Sequence, residues 1–514
     1  MKKSAFILTI LLLVSRLLGM GRELILSHFY HTSIYTDAYF LSRSISNIVF
    51  GIFAAGMVTT FIPMYIRTRE KQGTEKANRF MNNATNFMIM VTVVLSILGM
   101  IFPEALLFVF ANDLPPEAMD LTIRFVRVGL ISIVFSGIRS IFEGYHQSNQ
   151  HFFVAPVAGL FVNFILIFSI VISVKTDPIA LAWGLVAAAL FQAIFVYVFA
   201  RMDGYKHRFF IDFKDEDLQA MMVVALPIIL GSSVDQINAI VDQSLASGFG
   251  VGAISKVNYA NLLNDAILSI FVATMTTILY PKLAKQAFRK DYEGLKETLT
   301  KMLNIVNLLV IPGMIGMFLL AYPIVGVTFG RGFTPENVTL TAQILQGFVI
   351  GLIAYAMKQI LVRTFYALQD SKTPVRVGVF GVALNIGLDL YLMEIWGLPG
   401  LAYATSFSAM ITMLLLYFAL RKKLNGLRVK EFMISFSKTL LASSVMGLTV
   451  FKLYHHSLLT HSMSHALFVS VGVGVLVYML CMHFLKVPEY KIMMDSLWRK
   501  IYDIIRRLKH KYSN

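Results

Sequence analysis

An all-α polytopic membrane fold is predicted by three observations. The 514 residues are 57% hydrophobic and 14% charged, whereas soluble domains carry about 25% charged residues. Apolar stretches of about 20 residues recur along the chain, each long enough to span a hydrocarbon core of ~30 Å. Basic residues gather in alternate loops, the positive-inside bias of a chain that crosses repeatedly. In that setting the net charge of +16 points to cytoplasmic loops facing anionic lipid, and nucleic acid is not an expected partner. The single cysteine, Cys481, excludes an internal disulfide framework and a four-cysteine metal site.

About fourteen spans are expected, at 5–27, 38–64, 84–110, 121–143, 152–173, 179–200, 218–241, 257–281, 302–324, 339–366, 375–393, 399–420, 434–453 and 466–485. The first opens with Met1-Lys2-Lys3 before the apolar run Ile7–Val14, as a secretory signal would. No small-x-small cleavage site follows, and Arg16 and Arg22 do, so the segment reads as an uncleaved helix. Arg67, Arg69, Lys71, Lys76 and Arg79 follow the second span, Lys206 and Arg208 the sixth, and Lys282, Lys285, Arg289 and Lys290 the eighth. Lys372 and Arg376 follow the tenth, and Arg421, Lys422 and Lys423 the twelfth; odd-numbered spans lead into basic-poor loops such as Asn112–Asp120. This asymmetry places both termini in the cytoplasm of a multi-pass plasma-membrane protein. Beyond Glu489, Leu497, Ile501, Ile505, Leu508 and Tyr512 recur at helical spacing among Arg499, Lys500, Arg506, Arg507 and Lys509. That pattern fits either a basic amphipathic helix on the inner leaflet or a solvated basic tail.

The chain carries an internal repeat. Phe53, Ala55, Met57, Thr59 and Pro63 recur as Phe271, Ala273, Met275, Thr277 and Pro281, at a constant offset of 218 residues. Tyr145 and Tyr366, then Asn163 and Asn385, match at nearly the same offset. Six spans separate the copies, so the repeat is parallel, a plan transporters use with the substrate site between halves. The expected organisation is an N-lobe at 1–200, a linker at 201–217, a C-lobe at 218–420, two extra spans at 421–485 and a tail at 486–514.

The first span contains charges that lipid rejects. Arg16, Arg22 and Glu23 interrupt its apolar residues, and a mid-bilayer charge costs roughly 2.5–3.5 kcal/mol on insertion scales. Such groups face a protein interior or a water-filled cavity, and arginines there suit an anionic cargo because guanidinium forks onto phosphate oxygens. Asp37 and Arg43 in the next span complete a candidate cationic patch with supporting carboxylates. An internal ion pair, for instance between Arg22 and Asp37, is the alternative. In span seven Asp235, Asn238 and Asp242 share one helix face; in span eleven Asn385 and Asp389 form an i, i+4 pair; Thr405 lies in span twelve. These hard oxygen ligands suit Na⁺ or a proton relay, and interhelical hydrogen bonding is the plainer reading. Lys256, Asn258, Asn261, Asn264 and Asp265 give span eight a polar face, Lys358 and Arg363 do so in span ten, and Arg139 and Glu143 are placed to bridge each other. His455, His456, His461 and His465 cluster in a loop that reads as solvated and not metal-binding. No zincin motif, Walker loop or dinucleotide fingerprint is present, so neither an ATP-driven pump nor such an enzyme is expected.

At these residues the chain resembles the MurJ (MviN) lipid II flippases of the multidrug/oligosaccharidyl-lipid/polysaccharide exporter superfamily. The resemblance runs from residue 1 to about 485. It rests on Ser15-Arg16-Leu17-Leu18-Gly19 with Arg22-Glu23, on Thr36-Asp37-Ala38-Tyr39, on Phe61-Ile62-Pro63, and on Phe365-Tyr366-Ala367-Leu368-Gln369-Asp370 followed by Lys372-Thr373-Pro374-Val375. It implies a transporter, not an enzyme, that moves undecaprenyl-pyrophosphate-linked peptidoglycan precursor, lipid II, across the bacterial cell membrane by alternating access. Arg16, Arg22 and Asp37 match essential positions of the family motif, and Glu23 stands where the family often has Asp. Asp235, Asn385, Asp389 and Thr405, with the carbonyl of Leu401, match the family's cation site, implying Na⁺ as a coupling ion and no other cofactor. Spans thirteen and fourteen would form a groove for the lipid tail. Partners implied are lipid II or a related polyprenyl-pyrophosphate glycan, membrane lipids and cell-wall synthesis proteins.

The chain departs from the family at two arginines. Phe50-Gly51 and Tyr259-Ala260-Asn261-Leu262 occupy stretches where arginine is common. Arg43 and Lys256 lie within about two turns and are candidates to supply the charge. The departure keeps open another lipid-linked glycan as cargo. A drug exporter would prefer an acidic N-lobe, and an intramembrane enzyme acting on polyprenyl phosphates would carry clustered Asp/His/Arg motifs that this sequence lacks.

Overall fold

The computed structural model describes residues 2–459, 462–491 and 494–495, with side chains except at 2–10, 13, 55, 230–232, 234–235 and 269–281. Every regular element among them is helical. The chain divides into two compact units, Met1–Tyr259 with Arg331–Asn337, and Ala260–Gly330 with Val338–Asn514.

The first unit holds α1 (Lys2–Tyr30), α2 (Ile34–Ile101), α3 (Pro103–Phe110), α4 (Pro116–Ser148), α5 (Val154–Lys175), α6 (Ala180–Met202), α7 (Glu216–Ser247) and the start of α8 (Ala253–Phe288). At about 1.5 Å per residue α2 is far too long for one crossing. It contains the second expected span and most of the third, separated at Gly73, whose φ of 85° breaks the helix within the exposed basic stretch. α2 packs on α4 where Gly129 leaves room: a Cβ there would collide with the Ser42 hydroxyl, which donates to the Phe125 carbonyl at 2.7 Å. Small residues at a helix crossing allow this approach in a membrane protein. Phe61, Phe80, Phe142 and Tyr205 are fully buried in the unit's core.

The segment from Asp203 to Asp215 is not helical, and three asparagines on α2 satisfy its backbone. Asn83 donates to the Asp212 carbonyl and accepts from its N–H, both at 2.8 Å. Asn82 does the same to Lys206 and Arg208, and Asn86 donates to the carbonyls of Arg208 and Phe210. The expected linker is thus fastened to the helix, because buried backbone groups require partners. Asp217, at the start of α7, accepts from Arg67 at 2.7 Å and Thr68 at 2.9 Å.

The second unit continues α8 and adds α9 (Tyr292–Leu319), α10 (Ala321–Phe329), most of α11 (Pro335–Ile350), α12 (Leu352–Ala367), α13 (Lys372–Trp396), α14 (Pro399–Lys423), α15 (Val429–Leu458) and α16 (Met463–Phe484). Pro312 in α9 has no N–H, which deprives the Leu308 carbonyl of its helical donor. The Tyr478 hydroxyl of α16 fills that place at 2.6 Å. Gly351 interrupts the tenth expected span between α11 and α12, and Ser406 patches the gap by donating to the Gly347 carbonyl and accepting from the Gly351 N–H.

Ten helices among the described residues are long and apolar enough to cross a membrane. Each of the fourteen expected stretches lies largely on helix, the third divided between α2 and α3, the ninth between α9 and α10 and the tenth between α11 and α12. Residues 496–514, where the basic amphipathic tail was expected, lie outside the described residues.

Asp370 joins two helix ends. It accepts from the N–H and hydroxyl of Thr373 at 3.0 and 2.9 Å, and from Lys423 at 2.6 Å. The Lys423 ammonium and these donors bring its carboxyl down to about 2. A depressed carboxylate stabilises the fold above its unfolded value of about 3.9 and loses that contribution as pH falls through the folded value. Asp370→Asn should therefore melt at a lower temperature than wild type near neutral pH, and the gap should close between about pH 4 and pH 2. Parallel thermal melts across that range check this; a gap that persists below it would contradict the assignment.

Candidate functional site

The N-lobe charges assemble around one carboxylate. Glu23 on α1 is buried, and its Oε1 accepts from Arg22 at 2.5 Å and from Arg43 on α2 at 2.6 Å. Arg22 also donates to Asn163 Oδ1 on α5 at 3.3 Å, and Asn163 returns its amide to the Ser15 and Gly159 carbonyls. Arg43 lies over the rings of Tyr39 and Phe40, at 5.9 and 5.3 Å, a cation–π setting that orients it without neutralising it. Glu23 therefore holds two guanidiniums while cancelling one charge. Side-chain exposures of 15% for Arg22 and 31% for Arg43 leave both reachable. Arg16 is exposed and has no hydrogen bond or ion pair among the described residues. Arg22 is about 9 Å further along the helix axis.

The ion pair considered between Arg22 and Asp37 does not form; Arg22 takes its neighbour Glu23 instead. Asp37 turns to the start of α8, within the same unit. Its Oδ2 accepts from the Gly252 N–H at 2.5 Å and its Oδ1 from the Ser255 N–H at 2.8 Å, and the Ser255 hydroxyl also bonds it. It acts as an N-cap supplied by another helix, satisfying donors that a helix start leaves unpaired. Gly252 has a φ of 81°, and a Cβ there would strike the Thr32 carbonyl, so glycine is required at this approach. Lys256, also buried, lies within Coulombic range of Asp37.

The expected cation ligands fall in both units. Asp235 is in the first, and its side chain lies outside the described residues; Asn385, Asp389, Leu401 and Thr405 are in the second. Two approaches set the antiparallel register of α13 and α14: Ser408 Oγ donates to the Gly381 carbonyl at 2.8 Å, and a Cβ on Gly400 would meet the Leu392 carbonyl. That register brings Asn385 opposite Thr405 and Asp389 opposite Leu401. Asn385 and Asp389 are buried, and the Asn385 amide atoms have no hydrogen-bond partner among the described residues. Thr405 donates to the Leu401 carbonyl at 3.0 Å. Amide, carboxylate, carbonyl and hydroxyl oxygens on facing turns are a donor set that fits a hard cation.

Other readings resolve locally. Arg139 and Glu143 pair at 3.3 Å, as their spacing requires. Asn238 donates to Asp242 at 3.2 Å, and Asn258 bonds its own helix through the Ile254 carbonyl. His455, His456 and His465 are exposed, and His461 lies outside the described residues. Sequence reasoning missed Asn163 as the partner of Arg22, although the repeat had marked it. It also missed Gly252 and Ser255, which lie 215 and 218 residues from Asp37, beyond any spacing rule.

Comparison with known proteins bears on this arrangement directly. The sequence model of the family described as "Lipid II flippase MurJ" matches residues 26–471. A probable lipid II flippase MurJ of Rickettsia prowazekii (strain Madrid E) is 26% identical over 504 residues, covering 95% of this chain and 98% of that protein. One from Buchnera aphidicola subsp. Acyrthosiphon pisum is 28% identical over 462 residues, covering 87% and 89%. Among solved structures, a lipid II flippase MurJ in an inward closed conformation superposes with a TM-score of 0.82 at 23% identity, covering 94% of this chain and 99% of that one. An inward-facing multidrug MATE transporter of the MOP superfamily gives 0.69 at 13% identity, covering 80% and 94%. The resemblance carried by the Arg16–Glu23 and Asp37 motifs thus extends over nearly the whole chain and its fold, and the chain belongs to the MurJ family of lipid II flippases, multi-pass membrane transporters and not enzymes.

Proposed function

We propose that the chain moves lipid II from the inner to the outer leaflet of the bacterial cell membrane, by alternating access of two lobes in a fourteen-span chain with cytoplasmic termini. The observation that carries the proposal is the cluster of Arg22 and Arg43 on the buried Glu23, with Arg16 unpaired on the same helix as Arg22. Arg16, Arg22 and Arg43 against one carboxylate leave two positive charges, which suits a pyrophosphate. Transport outward is favoured by an inside-negative potential, which releases about 2.3 kcal/mol per negative charge for each ~100 mV. The similarity to proteins described as probable lipid II flippases supports lipid II as the cargo. Leu448, Phe468, Leu476 and Leu480 on α15 and α16 are exposed and offer an apolar face to a polyprenyl tail. The buried Phe50 and Tyr259, in stretches where the family often has arginine, favour another polyprenyl-pyrophosphate glycan as the second reading.

Binding of fluorescent lipid II to the purified protein tests the cargo. Wild type should bind it, and Arg16→Ala should bind it at least about tenfold more weakly. Preference for a different polyprenyl-pyrophosphate glycan would instead favour the second reading.

We further propose Na⁺ as the coupling ion, held within the second unit by Asn385, Asp389, Thr405 and the Leu401 carbonyl. Na⁺ should then raise the melting temperature of wild type over K⁺ at equal ionic strength, and Asp389→Ala should abolish the difference. An unchanged Na⁺ response in that variant would discard the site.

A further inference from the structure

We propose a divalent transition-metal site of the zinc class formed by His146, His151 and Asp203 in the first unit. The three residues come from the end of α4, the turn after it and the end of α6. One ligand atom from each lies within 4.8 Å of the others. Asp203 Oδ2 is 3.1 Å from His151 Nδ1 and 4.0 Å from His146 Nδ1.

His146 carries the argument. Its side chain is 2% exposed, yet its Nδ1 has no hydrogen-bond partner. Its Nε2 lies 2.8 Å from the Val196 carbonyl. A carbonyl can only accept, so Nε2 carries the proton and Nδ1 presents a bare lone pair to the cluster. Metal-ligating histidines are held this way, one ring nitrogen donating to a carbonyl or carboxylate while the other binds. A buried lone pair with no donor is costly in a merely structural histidine. Asp203 and His151 are 30% and 41% exposed, which leaves the cluster open to entry from solvent.

The geometry suits the metal. Tetrahedral zinc, with bonds of about 2.0–2.2 Å, needs ligand atoms roughly 3.3–3.5 Å apart. One pair is already near that distance, and the others need to close by about 1 Å. Two imidazole nitrogens and one carboxylate oxygen favour zinc-class ions over Mg²⁺ or Ca²⁺, with water completing the shell. The ion would tie the end of α4 to the end of α6 and brace one end of the N-lobe.

The test uses the full-length protein in detergent, stripped with chelator and titrated with Zn²⁺ against a chromophoric competitor. Wild type should bind one equivalent more than the His151→Ala, Asp203→Asn double variant. Each single variant should bind that equivalent more than about tenfold more weakly. The loop histidines are common to all four proteins, so their uptake cancels. Both altered residues are part-exposed, and matched melts in chelator verify folding. Co²⁺ in wild type should give the intense visible bands of four-coordinate nitrogen and oxygen ligation, a readout that needs no variant. Equal stoichiometry and affinity in wild type and double variant, or only the weak bands of six-coordinate Co²⁺, would overturn the proposal.

Discussion

Arg16→Ala and Arg22→Ala should each reduce lipid II transport about 10- to 100-fold while the protein stays in the membrane. Removing one charge-assisted hydrogen bond to a phosphate costs about 1.5–3 kcal/mol, which sets that range. The two variants should differ in stability. Arg16 is exposed and unpaired among the described residues, so its loss should leave the melting temperature unchanged. Arg22 bonds Glu23 and Asn163, so its loss should also destabilise the protein by about 1 kcal/mol. Glu23 keeps Arg43, which limits the damage. Flipping and thermal melts on the same preparations check both statements. Full transport in both variants would remove the arginines from the head-group site.

Asp37→Ala should lower stability by about 3–5 kcal/mol and with it the amount of folded protein. Removing the carboxylate orphans the Gly252 and Ser255 N–H groups in a buried place, and each buried orphan costs about 1–3 kcal/mol. Asp37→Asn should not rescue it. Both carboxylate oxygens accept from backbone donors, and an amide would turn its own NH₂ toward one of them. Lipid II affinity per folded molecule should stay close to wild type, because the carboxylate serves α8 and not the arginines. Normal stability with lost affinity would instead make Asp37 a ligand of the head group.

Much of this was legible in the sequence because membrane insertion makes each buried charge conspicuous. Arg16, Arg22 and Glu23 stand out in an apolar run, but the pairing of Arg22 with its neighbour Glu23 is not read from spacing, because adjacent residues on a helix point in different directions. Arg139 and Glu143 followed from helical spacing alone. The alternative pairing of Asp37 with Arg22 does not form, because the donors that hold Asp37 belong to a helix start more than 200 residues away. The asparagines holding the linker were invisible for a similar reason: Asn82, Asn83 and Asn86 read as polar residues on a helix until the extended segment lies beside them. The histidines drew attention in the wrong place. Four sit together in one loop, whereas His146, His151 and Asp203 meet only when α4 and α6 end side by side.

The most direct measurement is lipid II externalisation in bacteria depleted of their own flippase, comparing wild type with Arg16→Ala at matched membrane levels. The account predicts that wild type restores externalisation and Arg16→Ala does not. A well-expressed wild type that fails to restore it, or an Arg16→Ala variant that restores it fully, would contradict the assignment of lipid II to this arginine-bearing site.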